Sequence, residues 1–139
     1  MRNTHILKVL EDTMKLLIVD DSLVIRKVIK AAADVLNMET EEAQDGLEAL
    51  EKLAVLYEEI DLVLLDWNMP EMSGYDVLVE IKGSALYKHI PVMMVTTEGQ
   101  KSSIVAAVRA GADNYLVKPF SVEELESKII ECIGEGGEV

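Results

Sequence analysis

Cysteine occurs once in this 139-residue chain, at Cys132, so no internal disulfide can form and no Cys pair exists for a zinc knuckle. That residue reads as a buried or half-exposed thiol. Aromatic residues amount to 4%, which calls for an aliphatic core and provides no row of rings on which bases could stack. Basic residues number 13 against 26 acidic ones, and a net charge of −13 repels phosphate backbones, so nucleic acid is not expected as a partner. No apolar run approaches the roughly 18 residues of a membrane span. The opening MRNTHILKVLEDT also lacks the apolar core and cleavage site of a signal peptide, so no membrane insertion is expected and the chain reads as cytoplasmic. Only 3 Pro and 8 Gly are present among 50% hydrophobic residues, a composition that packs. The length suits one domain.

The apolar residues are grouped. Four-residue runs stand at 16–19, 62–65 and 92–95, each too short for a helix and without alternation, as expected of strands buried on both faces. Segments 38–43 and 114–117 mix polar with apolar residues and suit the sheet's edges. Helical spacing fills the gaps: Val24, Val28, Ala31, Val35; Leu47, Leu50, Leu53; Val77, Leu78, Ile81; Ile104, Val105, Val108; and Leu125, Ile129, Ile133. Ser73 with Asp76 and Ser121 with Glu124 have capping-box spacing, and Gly111 sits where a left-handed cap would end a helix. The alternation predicts an α/β fold, a doubly wound (βα)₅ with a parallel five-stranded sheet. Residues 1–13 are expected to be a weakly ordered leader or a short accessory helix using Ile6, Val9 and Leu10, residues 14–133 the domain, and 134–139 a flexible glycine-rich tail. No linker to an effector domain is expected.

Polar residues gather where the strands should end. Asp20 and Asp21 follow the first apolar run, Asp66 follows Leu65, Thr96 ends the fourth strand and Lys118 follows the fifth. In open parallel sheets the ligand crevice lies outside the carboxyl ends of the strands, where strand order reverses. With the order 2-1-3-4-5, strands one and three are neighbours there and their carboxylates converge. Clustered carboxylates need a counter-charge. Oxygen ligands without a His or Cys set favour a hard cation such as Mg²⁺. Lys118 and Thr96 add a cation and a hydroxyl suited to a phosphoryl group, toward which an ionised Asp is a nucleophile. Each residue alone reads as a turn or strand-end residue; their coincidence at one edge is what points to chemistry. His5 and His89 are assigned to solvent.

The motifs LLIVDDS at 16–22, LLDWNMPEMSG at 64–74, VTTEG at 95–99 and AGADNYLVKPFS at 110–121 together resemble a response-regulator receiver domain of the stand-alone chemotaxis (CheY-like) type, over residues 14 to about 133. The resemblance implies a flavodoxin-like sheet, Asp66 as phosphoacceptor, and Mg²⁺ held by Asp21, Asp66 and the backbone carbonyl of Asn68, with Asp20 assisting through water. It also implies that Thr96, Thr97 and Lys118 contact the phosphoryl group, that Thr96 and Tyr115 form the switch, and that Asn68 and Glu98 tune dephosphorylation. The Lys118–Pro119 bond is implied to be cis. Thr97 departs from the Ala common in the family, and its bulk bears on the kinetics. The implied output surface is Lys101, Ile104, Val105, Tyr115, Val117 and Glu123.

On this resemblance the chain is a phosphoprotein of a two-component system rather than an enzyme, assisting only its own phosphorylation and dephosphorylation. The implied partners are a CheA-like histidine kinase as phosphodonor, a flagellar motor switch component as target, and a phosphatase. A receiver in a non-chemotaxis phosphorelay is the alternative. A Mg²⁺-dependent phosphatase with an Asp nucleophile would want a titratable acid two residues after Asp66, where Asn68 stands. A flavodoxin-like electron carrier would want a Ser/Thr/Gly-rich loop where DDS stands.

Overall fold

The computed structural model describes residues 13–137. Five strands alternate with five helices: β1 Met14–Val19, α1 Leu23–Val35, β2 Met38–Ala43, α2 Gly46–Leu56, β3 Leu62–Leu65, α3 Gly74–Lys82, β4 Val92–Thr96, α4 Lys101–Arg109, β5 Asn114–Val117 and α5 Val122–Gly137. All strand pairs are parallel, in the order β2-β1-β3-β4-β5. This is the expected doubly wound sheet.

Successive residues of a strand point to opposite faces, and here both faces are covered. Leu17, Val19, Val63, Leu65, Val92 and Met94 pack with Leu53, Val77, Leu78, Ile81 and Ala107 on one side. Leu16, Ile18, Leu62, Leu64, Met93 and Val95 pack with Ile29, Ala32, Ala33, Leu125 and Ile129 on the other. Each large aliphatic side chain so buried contributes about 1.5–3 kcal/mol of transfer free energy, which explains why the central strands are unbroken apolar runs. Cys132 is buried in the second cluster.

The helix starts follow the capping residues. Ser73 and Asp76 form a reciprocal box, as do Ser121 and Glu124 with both bonds at 3.0 Å. Gly111 follows α4 with φ +110°. Two helix termini depend on residues whose pattern is less plain: Ser22 caps α1 by accepting from the Ile25 amide, and Asn37 takes φ +60° to turn the chain from α1 into β2.

The face α1 turns inward differs from the stripe its spacing marks. Val24 and Val35 are 69% and 72% exposed, with Val28 and Ala31 on the same outer line, while Ile29, Ala32 and Ala33 are buried. α1 carries two apolar stripes roughly a third of a turn apart at about 100° per residue; the inner one holds two alanines, which let the helix approach the sheet closely. Leu47, Val105 and Val108 are exposed for a similar reason, with the smaller Ala49 and Ala107 against the core instead. α5 runs on to Gly137, past Ile133 where the tail was expected to begin. A glycine in a helix costs only about 1 kcal/mol and does not break its hydrogen bonding. The leader expected at 1–13 lies, up to residue 12, outside the described residues, as do 138 and 139.

Candidate functional site

Because β1 and β3 are neighbours with Val19 opposite Leu65, the residues that follow each strand come side by side. The Asp66 amide donates to the Val19 carbonyl at 2.9 Å and the Asp20 amide to Ala43 at 3.1 Å, which fixes both backbones at the mouth of the sheet. Carboxylate oxygens of Asp20, Asp21 and Asp66 lie within 4.8 Å of one another. Asp20 and Asp66 are buried, at 2% and 6% exposure, while Asp21 is open to solvent.

From the far end of the sheet, Lys118 reaches over this group. Its Nζ donates to Asp20 Oδ2 at 2.8 Å and stands 3.8 Å from Asp66 Oδ2. The Lys118–Pro119 peptide is cis. Burial, followed by the charge of Asp20, pushes the Asp66 carboxyl above its ordinary value; Lys118, a hydrogen bond from Thr96 and the Asn68 amide oppose that rise without cancelling it. Among the described residues no buried side-chain nitrogen or oxygen lacks a hydrogen-bond partner.

A second set of contacts leads away from the carboxylates. Asn68, exposed beside Asp66, donates its amide N–H to Asp66 Oδ1 at 3.4 Å and its side-chain amide to Glu98 Oε2 at 3.3 Å. Ser103 donates to Glu98 Oε1 at 3.4 Å. The Tyr115 hydroxyl donates to the Glu98 backbone carbonyl, with its ring half-buried against the core cluster that includes Met94. Burial, then the charge of Glu98, raises the Tyr115 phenol above its ordinary value, so it remains a donor. Thr96 is fully buried and accepts from the Glu98 amide at 3.3 Å, so one short loop ties the carboxylate site to Tyr115.

Thr97 is exposed at the end of β4. Lys101, Val105, Val117 and Glu123 are exposed and Ile104 and Tyr115 partly so, on α4, β5 and α5, away from the carboxylates. His89 is exposed as expected, and His5 lies outside the described residues.

Three residues escaped the reading of the sequence. Ser22 donates its amide to Asp20 Oδ1 at 2.9 Å. Arg26 donates to the Asp20 carbonyl at 2.6 Å. Gly74 stands so close to β3 that a Cβ there would lie 1.9 Å from the Asp66 carbonyl oxygen. Ser22 and Gly74 left a visible signal, as the residues that close LLIVDDS and LLDWNMPEMSG, and Arg26 left none.

The donor set fits a hard divalent cation. Three carboxylates converge, two of them against one lysine, all potential ligands are oxygens, and the exposed Asp21 leaves an open side for water.

Comparison with known proteins agrees with this arrangement. Residues 16–130 match the response regulator receiver domain family. The chain is 42% identical over 122 residues to chemotaxis protein CheY1 of Helicobacter pylori, covering 87% of this chain and 98% of that one. It is 40% identical over 124 residues to a chemotaxis protein CheY homolog of Campylobacter jejuni, covering 88% and 95%. Among solved structures, Vibrio cholerae chemotaxis protein CheY4 superposes with a TM-score of 0.79 at 33% identity, over 86% of this chain and 98% of that one. A chain of the CheX-CheY-BeF3-Mg complex from Borrelia burgdorferi gives 0.81 at 28% identity, over 85% of this chain and 87% of that one. The buried Asp20 and Asp66, the lysine across them and the matched sequence therefore have one explanation: the chain belongs to the response regulator receiver domain family.

Proposed function

We propose that this protein is a single-domain response regulator that accepts a phosphoryl group on Asp66 from the phosphohistidine of a CheA-like kinase in the cytoplasm, and passes the signal to a protein target, in chemotaxis a flagellar motor switch component. The observation that carries the reading is the convergence of three carboxylates at the strand ends, with Lys118 against two of them, Asp20 and Asp66. The chemotaxis assignment is supported by relatives named as CheY proteins.

In the reaction, an Asp66 carboxylate oxygen attacks phosphorus, the phosphorus–nitrogen bond breaks, and the imidazole leaves with the electron pair and takes a proton from water. Mg²⁺ held by Asp20, Asp21, Asp66 and the Asn68 carbonyl would neutralise charge on the transferring oxygens. Lys118, Thr96 and the loop at Thr97 contact those oxygens, and Asn68 with Glu98 controls access of the water that later hydrolyses the acyl phosphate.

The switch is a population shift between two packings of Tyr115. In the structure its hydroxyl is on the Glu98 carbonyl while Thr96 Oγ1 accepts from the Glu98 amide. We assign this packing to the signalling form, which phosphoryl contacts to Thr96 favour. The face of Lys101, Ile104, Val105, Tyr115, Val117 and Glu123 then binds the target, and a phosphatase ends the signal.

Incubation with acetyl phosphate and Mg²⁺ should add one phosphoryl group by intact mass, released by hydroxylamine as expected of an acyl phosphate. Asp66→Ala should abolish the addition. Unchanged labelling of that variant would overturn the assignment. Phosphotransfer from a kinase with no effect on motor-switch binding would place the protein in a different phosphorelay.

A further inference from the structure

We infer that Arg26 is a positioning residue for the cation site, an inference that rests on reading Asp20, Asp21 and Asp66 as cation ligands. Arg26 lies on the second turn of α1 with its side chain only 12% exposed. Its Nε donates to Glu42 Oε1 on β2 at 2.9 Å, and its Nη1 donates to the Asp20 backbone carbonyl at 2.6 Å. The planar guanidinium thus spans an edge strand and the acidic turn.

Asp20 is held at every polar atom it has. Its amide bonds to Ala43, Oδ1 accepts from the Ser22 amide, Oδ2 accepts from Lys118, and its carbonyl accepts from Arg26. The last of these bears on Asp21. The Asp20 carbonyl belongs to the same rigid plane as the Asp21 nitrogen and Cα, so gripping that oxygen fixes where the Asp21 side chain begins. Asp21 is exposed, and its direction therefore depends on the peptide that carries it. Glu42 offsets the guanidinium charge, so Arg26 can serve as a brace without repelling the cation it helps to seat.

Electrostatics and positioning predict opposite signs. If Arg26 acted only through its charge, removing it would tighten Mg²⁺ binding. If it aims Asp21, removing it weakens binding, and outer-shell partners of metal ligands typically account for about 10- to 100-fold in affinity. Arg26→Met keeps the apolar stem and removes both bonds. Calorimetric Mg²⁺ titration at fixed ionic strength should show a loss of about 10-fold or more, with melts in chelator reporting the fold separately. Wild-type or tighter affinity would overturn the inference. If Arg26→Met does not fold, Arg26→Lys decides: an ammonium reaches Glu42 or the Asp20 carbonyl but cannot span both, so Mg²⁺ affinity should fall, and retention of wild-type affinity would overturn the role. Wild-type protein that binds no Mg²⁺ would instead bring down the cation reading, and this inference with it.

Discussion

Lys118 is bonded to Asp20 and only near Asp66: its Nζ is 2.8 Å from one carboxylate and 3.8 Å from the other. The lysine therefore offsets a buried acid while remaining within a small movement of the proposed phosphoacceptor. Two roles follow, and they can be separated by measurement.

Lys118→Ala leaves Asp20 and Asp66 buried without their cation. Breaking a buried pair in this way costs about 3–5 kcal/mol, so the variant should melt well below wild type in chelator. Mg²⁺ supplies the missing charge and should recover most of the difference, because the cation's carboxylate ligands are intact. Melts with and without Mg²⁺ check this; an equal deficit in both would show that Lys118 acts through packing alone. With acetyl phosphate the variant should still bind Mg²⁺ but show impaired phosphorylation or switching.

Asp66 gives a pH signature. Burial and Asp20 raise its pKa in the folded chain, so between the ordinary value of 3.8 and the raised one the folded state binds more protons than the unfolded state. Stability attributable to Asp66 therefore falls as pH rises through that window, and the full cost is present above it. Asp66→Asn removes the cost. In chelator it should be more stable than wild type near neutral pH, by about 0.5–2 kcal/mol, and the advantage should shrink as pH drops toward 4. A constant difference across pH would mean the gain has another source.

Gly74→Ala should be damaging out of proportion to one methyl group. The added carbon would overlap the Asp66 carbonyl at 1.9 Å, and that carbonyl is backbone, so relief requires β3 or the start of α3 to move. Overpacking typically costs about 1–3 kcal/mol, and this case should lie at or above the upper end. Because the displaced group is Asp66 itself, Mg²⁺ affinity should fall along with the melting temperature. A stable variant with normal Mg²⁺ binding would show that the loop yields freely.

What the sequence revealed depended on whether neighbours in the chain are also neighbours in space. The unbroken runs at Leu16–Val19 and Leu62–Leu65 mark doubly buried strands, and polar residues directly after them mark the site, so the central strands were legible, and the Asp20, Asp21 and Asp66 cluster with them once the order 2-1-3-4-5 was supposed. Periodicity shows that 23–35 is a helix but not which of its two apolar stripes faces the sheet, and there the expected stripe was the exposed one. Arg26 was illegible because its partners, Glu42 and the Asp20 carbonyl, meet it only after α1 has crossed back to place β2 beside β1. A hydrogen bond to a backbone carbonyl leaves no residue-type signal at the acceptor.

The Tyr115 hydroxyl bond to the Glu98 carbonyl makes the proposed switch divisible into a ring and a hydrogen bond. Tyr115→Phe keeps the ring, which still packs against the core cluster, and loses a bond whose net value is about 0.5–1.5 kcal/mol. The inward packing should then lose a factor of roughly 2 to 13 in population, since 1.4 kcal/mol is about tenfold at room temperature. Tyr115→Ala removes both and should abolish most of the phosphorylation-dependent gain in target affinity. Neither variant touches the carboxylates, so both should take up one phosphoryl group on Asp66 as wild type does. Target affinity measured with and without phosphorylation, for all three proteins, should therefore rank wild type, Phe, then Ala in the gain and leave labelling level. Full gain in Tyr115→Ala would remove Tyr115 from the switch, and a Phe variant equal to wild type would assign the switch to the ring's packing rather than to the Glu98 carbonyl.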